Sequence, residues 1–138
     1  MRYLLFVVNV ISMSAPPAVA AAQQSPFKPP SNLQALPKDS KIADIVPVMR
    51  DFTSALGVRC QFCHSYTGSD PNDLRTFDFA SDSVPAKGTA RTMIRMAAAI
   101  NGDLLKGVGT PSADGKAKVT CYTCHRGERT PQTTRPPA

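Results

Sequence analysis

Tryptophan is missing from this chain of 138 residues, and aromatic residues make up only 7% of it. Aromatic side chains dominate the energetics of most cores, so a chain this poor in them has a thin core. Something other than side chains has room to fill it. No run of strand-like alternation stands out, which leaves helices as the main elements. Basic residues outnumber acidic ones, 16 to 10, yet they form neither a run nor a stripe interleaved with aromatics. Nucleic acid is therefore not an expected partner. The longest apolar stretch lies in MRYLLFVVNVISMSAPPAVAAAQ and is broken by Asn9, Pro16 and Pro17. It is shorter than the ~20 residues a spanning helix needs, so no stable membrane span is expected. Histidine occurs twice and cysteine four times.

That apolar stretch reads instead as a Sec signal peptide over residues 1–20, with Arg2 as its positive start and Ala18, Val19 and Ala20 fitting a cleavage site. The mature chain is then expected in the periplasm, with Arg2 removed and a formal charge of 6 − 1 = +5. Residues 21–31 form a proline-rich linker, 32–129 a single domain, and 130–138 a disordered tail, since both flanking stretches are rich in proline and poor in large apolar residues.

Periodicity within the domain predicts two helices. In SKIADIVPVMRDFTSALG the residues Ile42, Ile45, Val46, Met49, Phe52 and Leu56 follow helical spacing. Asp39 or Ser40 is placed to cap this helix, Gly57 to stop it and Pro47 to kink it. In SVPAKGTARTMIRMAAAINGDLLKG the residues Ala90, Met93, Ile94, Ala97, Ile100, Leu104 and Leu105 share one side, with Asp82 or Ser83 near the cap. Between them, residues 65–83 are polar and rich in turn formers. Each helix ends shortly before a cysteine motif.

Those motifs are GVRCQFCHS and VTCYTCHRG, and they contain every cysteine and histidine of the chain: Cys60, Cys63 and His64, then Cys121, Cys124 and His125. A C-x-x-C-H run is the attachment signal of a c-type haem. The two thiols add across the haem vinyl groups and the histidine reaches the iron as proximal ligand. A zinc ribbon would need four ligands close in space, and the gap from Cys63 to Cys121 is too long for one. A redox-active C-x-x-C would need no histidine directly after it, and two disulfides would leave both histidines unexplained. Two covalent haems c follow, and they account for the thin core. The fold class is mostly α: a small multihaem cytochrome c of two haem-binding helix-loop-CxxCH units with few or no strands. Arg50, Arg59, Arg91, Arg95 and Arg126 are candidates to meet haem propionates, and at least three of them are expected to be ordinary solvated arginines.

With both histidines proximal, the sixth ligands come from elsewhere, and methionine is the best supply. Besides Met1 and Met13 in the signal segment, the chain has Met49, Met93 and Met96. Met49 lies on the helix before the first motif and is the expected ligand there. Met93 and Met96 both lie on the helix before the second motif, three positions apart, and spacing alone does not choose between them.

The segments MRDFTSALGVRCQFCH, ARTMIRMAAAIN and VTCYTCHRG together resemble the cytochrome subunit of photosynthetic reaction centres, over roughly residues 32–129. The resemblance implies Met49 and Met93 as iron ligands, with Met96 as packing. Members of that family usually carry four haems, one of them held by two histidines. This chain has two motifs, has Gly107 where the family places the extra histidine, and lacks a cysteine for a lipid anchor. The function implied is single-electron transfer between a redox-protein donor and acceptor, with a photosynthetic reaction centre or a respiratory complex at the membrane surface as the candidate partner. Two alternatives are a peroxidase-like dihaem oxidoreductase and a haem-based sensing or assembly module. Against the first, no histidine is spare and the single glutamate, Glu128, lies near the end of the chain.

Overall fold

The computed structural model of the chain describes residues 27–106, 108 and 119–135. The signal segment, Gly107 and the last three residues lie outside the described residues. Helix α1 spans Ile42–Leu56, α2 Pro85–Ala99 and α3 Cys121–His125, and strands β1 (Ser65–Tyr66) and β2 (Phe77–Asp78) form one hairpin.

Helix α1 begins one residue later than its expected caps. Lys41 holds the cap position, and the carboxylate of Asp44 reaches back to accept its backbone N–H at 2.9 Å. A carboxylate in the first turn satisfies an orphan donor and complements the helix dipole together, so Asp39 and Ser40 are not needed. The helix runs on through Pro47 and stops at Gly57, which takes the left-handed φ of 62° that glycine adopts without strain. Helix α2 starts on Pro85, whose missing N–H costs nothing in a first turn. Asp82, an expected cap, instead turns toward Arg91 at 2.8 Å and Lys87 at 3.1 Å. Beyond Ala99 the helix widens into a π-helical turn, Ile100–Leu104, closed by Leu105 N–H donating to Ile100 O at 2.8 Å.

The polar stretch between the helices holds the hairpin, antiparallel with Tyr66 opposite Phe77 and Ser65 opposite Asp78. Two-residue strands are too short to show an alternating pattern. A mostly helical chain with few strands is what the structure shows.

Helix α1 packs on α3, the helix of the second motif, and α2 meets α3 along a smaller contact. Gly127, two residues past His125, donates its N–H to Ala55 O at 2.8 Å. Gly57 lies so close to Gly127 that a Cβ there would run into its carbonyl. Among the described residues only Ala55 and Lys87 are buried, and no large side chain is fully enclosed. The thin core expected from composition is thus a property of the fold.

Candidate haem sites

The first motif forms a tight 3-10 turn, Cys60–Phe62, in which His64 N–H donates to Cys60 O at 3.0 Å. This brings both thiols and the imidazole of one motif onto a single turn. Burial pushes the Cys63 thiol up, and Cys60 adds to the effect. The ring of His64 is held neutral, its pKa lowered to about 4, first by burial and then by the charges of Lys87 and Arg91. A neutral imidazole keeps a lone pair for a metal. The hairpin builds the wall beside it: Phe79 meets His64 edge-on at 5.0 Å, Phe77 stacks on Phe79 at 5.4 Å, and Tyr66 stacks on Phe77 at 5.1 Å.

In the second motif the turn is α-helical. Thr120 caps it through its N–H, which donates to Thr123 Oγ1 at 3.0 Å. His125 Nδ1 lies 3.0 Å from the carbonyl oxygen of Glu128. A carbonyl only accepts, so Nδ1 carries the proton and Nε2 is left with the lone pair, the usual arrangement behind a metal-binding histidine. Arg126 and Gly127 follow with positive φ values of 50° and 89°, turning the chain back onto α1. Burial raises the Cys121 thiol, and the carboxylate of Asp51 on α1 is among the charges that add to it.

The methionines lie on apolar stripes. By the helical period, Ile42, Ile45, Met49, Phe52 and Leu56 share an arc of about 80° on α1. Asp51 and Ala55, on the edge that meets the second motif, are about 120° or more away from Met49. On α2, Met93 lies within about 60° of Ala86, Ala90, Ala97 and Ile100, whereas Met96 is on the rim of that stripe. Met93 is 39% exposed and Met96 48%. Of the candidate propionate partners, Arg91 donates to Asn32 O and Arg95 to Gln34 O, each at 3.2 Å, while Arg50, Arg59 and Arg126 are exposed.

The residues present fit a covalently bound haem. All four cysteines are free thiols. Among the described residues no three histidine, cysteine, aspartate or glutamate side chains converge as a metal site made of protein ligands alone would need. The two buried side-chain polar atoms without a hydrogen-bond partner among the described residues, Gln61 Oε1 and His64 Nδ1, both belong to the first motif. Buried polar groups are ordinarily satisfied, and their clustering here marks a place where protein alone does not complete the structure.

Three residues escaped the sequence reading. Lys87 is the polar residue at the centre of the first site's support, Phe79 is the ring against His64, and Asn101 ties the second motif in place. Asn101 Nδ2 donates to Val119 O at 2.7 Å and its Oδ1 accepts from Val119 N–H at 2.9 Å, two residues ahead of Cys121. The asparagine of ARTMIRMAAAIN was visible as part of the resemblance, but its task was not.

Comparison with known proteins sets the class as a c-type cytochrome. The family model of the photosynthetic reaction centre cytochrome C subunit matches residues 68–135, which takes in the second motif. A reaction-centre cytochrome c subunit from Rubrivivax gelatinosus is 32% identical over 111 residues, covering 70% of this chain and 28% of the relative. A stretch of that extent includes positions 60–64 wherever it is placed. Cytochrome c-554 of Chloroflexus aurantiacus is 37% identical over 84 residues (60% of this chain, 17% of the relative), and the Roseobacter denitrificans reaction-centre subunit 38% over 72 (52% and 17%). The chain is thus a relative of the reaction-centre cytochrome c subunits, and it spans less than a third of the length of these curated relatives. No solved structure matches it.

Proposed function

We propose that this chain is a periplasmic carrier of single electrons with two covalent haems, held at Cys60, Cys63 and His64 and at Cys121, Cys124 and His125. The observation that carries the reading is the lack of an enclosed core among the described residues, beside two one-turn C-x-x-C-H elements. The haem supplies an iron that gains and loses one electron reversibly. The protein supplies the thiols, the proximal imidazoles and the apolar stripes that would cover the ring. Met49 would hold the iron of the first site, since its stripe is separate from the edge of α1 that meets the second motif. Met93 serves the second, because it is central in its stripe and Met96 is marginal. The names of the relatives support a redox partner at a photosynthetic reaction centre, and a respiratory complex remains the competing partner class.

The test is haem stoichiometry. Protein from a host with a cytochrome c maturation system should, after denaturation, exceed the mass of the cleaved chain by two haems. A mass gain of one haem, or a native ferrous protein that takes up carbon monoxide at once, would overturn the dihaem carrier in favour of a single-site or catalytic one.

A further inference from the structure

The two sites are equal in motif and unequal in surroundings. Lys87 projects from α2 as a cation only 9% exposed, and its Nζ donates to the carbonyls of Phe79 at 2.9 Å, Ala80 at 3.0 Å and Ser81 at 2.6 Å. Phe79 joins this clasp to the first site, because its carbonyl accepts from Lys87 while its ring meets His64 at 5.0 Å. Arg91, one turn along, adds a second cation; the carboxylate paired with both is Asp82, which is 47% exposed and so screened by water, and the carboxylate of Asp78 accepts from Ala80 N–H and Ser81 N–H in the same loop. At the second site no buried cation stands beside the motif among the described residues: the carboxylate of Asp51 on α1 acts on Cys121, and Arg126, directly after His125, is exposed to solvent.

The proximal histidines differ too. His125 Nδ1 donates to Glu128 O, whereas His64 Nδ1 has no partner among the described residues. A hydrogen bond from the far ring nitrogen makes a histidine a more basic ligand, and a more basic ligand favours the ferric state. Reduction lowers the charge at the iron by one, so a buried cation favours the ferrous state. Both differences act in the same direction.

We propose that Lys87 sets the reduction potential of the Cys60–His64 site and makes it the higher of the two. A half-reduced molecule then keeps its electron at the first motif. This rests on the dihaem reading above, and the haem count tests that reading separately.

The experiment is a spectroelectrochemical titration of the full dihaem protein, with haem content first verified at two per chain. The double variant Cys121→Ala/Cys124→Ala, which keeps only the first haem, should retain the higher wave. Lys87→Met keeps the apolar stem and removes the charge. It should lower the higher wave so that the ratio of reduced to oxidised haem there, at a fixed potential, falls about tenfold, equivalent to ~59 mV for one electron, with the lower wave in place. Arg91→Gln leaves the lysine clasp intact and should move the same wave in the same direction by less, which keeps the test open if Lys87→Met does not fold. Arg95→Gln removes the same charge one turn further on and should move neither wave. The proposal is overturned if the single-haem variant retains the lower wave, if Lys87→Met or Arg91→Gln shifts nothing or only the lower wave, or if Arg95→Gln matches Lys87→Met. A protein with one haem overturns the dihaem reading before any titration begins.

Discussion

Met93 and Met96 are three residues apart on one helix, and only about 60° of rotation separates them. That rotation carries the assignment of a ligand. A thioether favours ferrous iron, so its loss should lower the potential of the haem it serves and open the iron to small ligands. Met93→Leu should abolish the red charge-transfer band of methionine-bound ferric haem at the second site and admit carbon monoxide there, and Met49→Leu should do the same at the first. Met96→Leu should leave both spectra intact and change stability by no more than about 0.5 kcal/mol, as expected for an exposed side chain. If Met96→Leu removes the band and Met93→Leu spares it, α2 presents its other edge to the iron. A second residue-scale prediction concerns Asp82, whose carboxyl is held far below the usual carboxylate range by Arg91 first, then by Asn32 and Lys87. Unfolded, it titrates near the ordinary value of about 3.9. Its depressed pKa therefore contributes stability that is fully present above about pH 4 and is lost progressively as pH falls toward the folded value. Thermal melting of the protein and of Asp82→Asn should differ at pH 6 and converge toward pH 2.5. Added salt should narrow the gap at pH 6, since the carboxylate is solvent-facing. A gap that persists unchanged at pH 2.5 would assign the effect to packing.

At the scale of elements, the second motif is not held by its own helix. Five residues of α-helix are too few to be stable alone, so Cys121–His125 depends on what flanks it. On one side Gly127 N–H is bound to Ala55 O of α1, and on the other Val119 is bound twice by Asn101 from the π-helical turn. That turn offsets the end of α2 by one residue, which brings the Asn101 amide to the Val119 backbone. Asn101→Ala would leave a backbone donor and acceptor unpaired in a half-buried place, at a cost of about 1 to 3 kcal/mol. Denaturant unfolding should show that loss, and the spectrum of the second haem should broaden while the first keeps its line. Asn101→Asp retains the acceptor for Val119 N–H and should recover part of the difference.

For the whole molecule, the consequence is dependence on the prosthetic group. A domain of this size whose described residues enclose little more than Ala55 and Lys87 has little apolar burial to offset its chain entropy. Anything that binds the folded state alone stabilises it, and a covalent haem does so irrespective of its concentration. Chain produced without haem attachment should therefore give no sharp calorimetric transition and should bind hydrophobic dyes, the behaviour of a compact state without fixed packing. A cooperative melt of that haem-free chain, close in temperature to that of the haem-loaded protein, would show that side chains suffice.

What the sequence determined on its own is the local chemistry. Two thiols and an imidazole on one turn are a matter of four consecutive peptide bonds, and the 3.6-residue period places Met49 and Met93 on apolar stripes without reference to the rest of the chain. The thin core was legible for the same reason, since composition bounds what can be buried. Tertiary structure alone decided how the pieces meet. Ala55 binds Gly127, Asn101 binds Val119, and Phe79 stands between Lys87 and His64. None of these pairs has a spacing that a local rule can read. The cap expected at Asp39 was displaced because Asp44 serves the Lys41 N–H from within the first turn, and the one expected at Asp82 because its donors, Arg91 and Asn32, belong to a turn of α2 and a segment fifty residues upstream. The inequality of the two sites comes from the same source: identical motifs acquire different fields only once distant charges have folded around them.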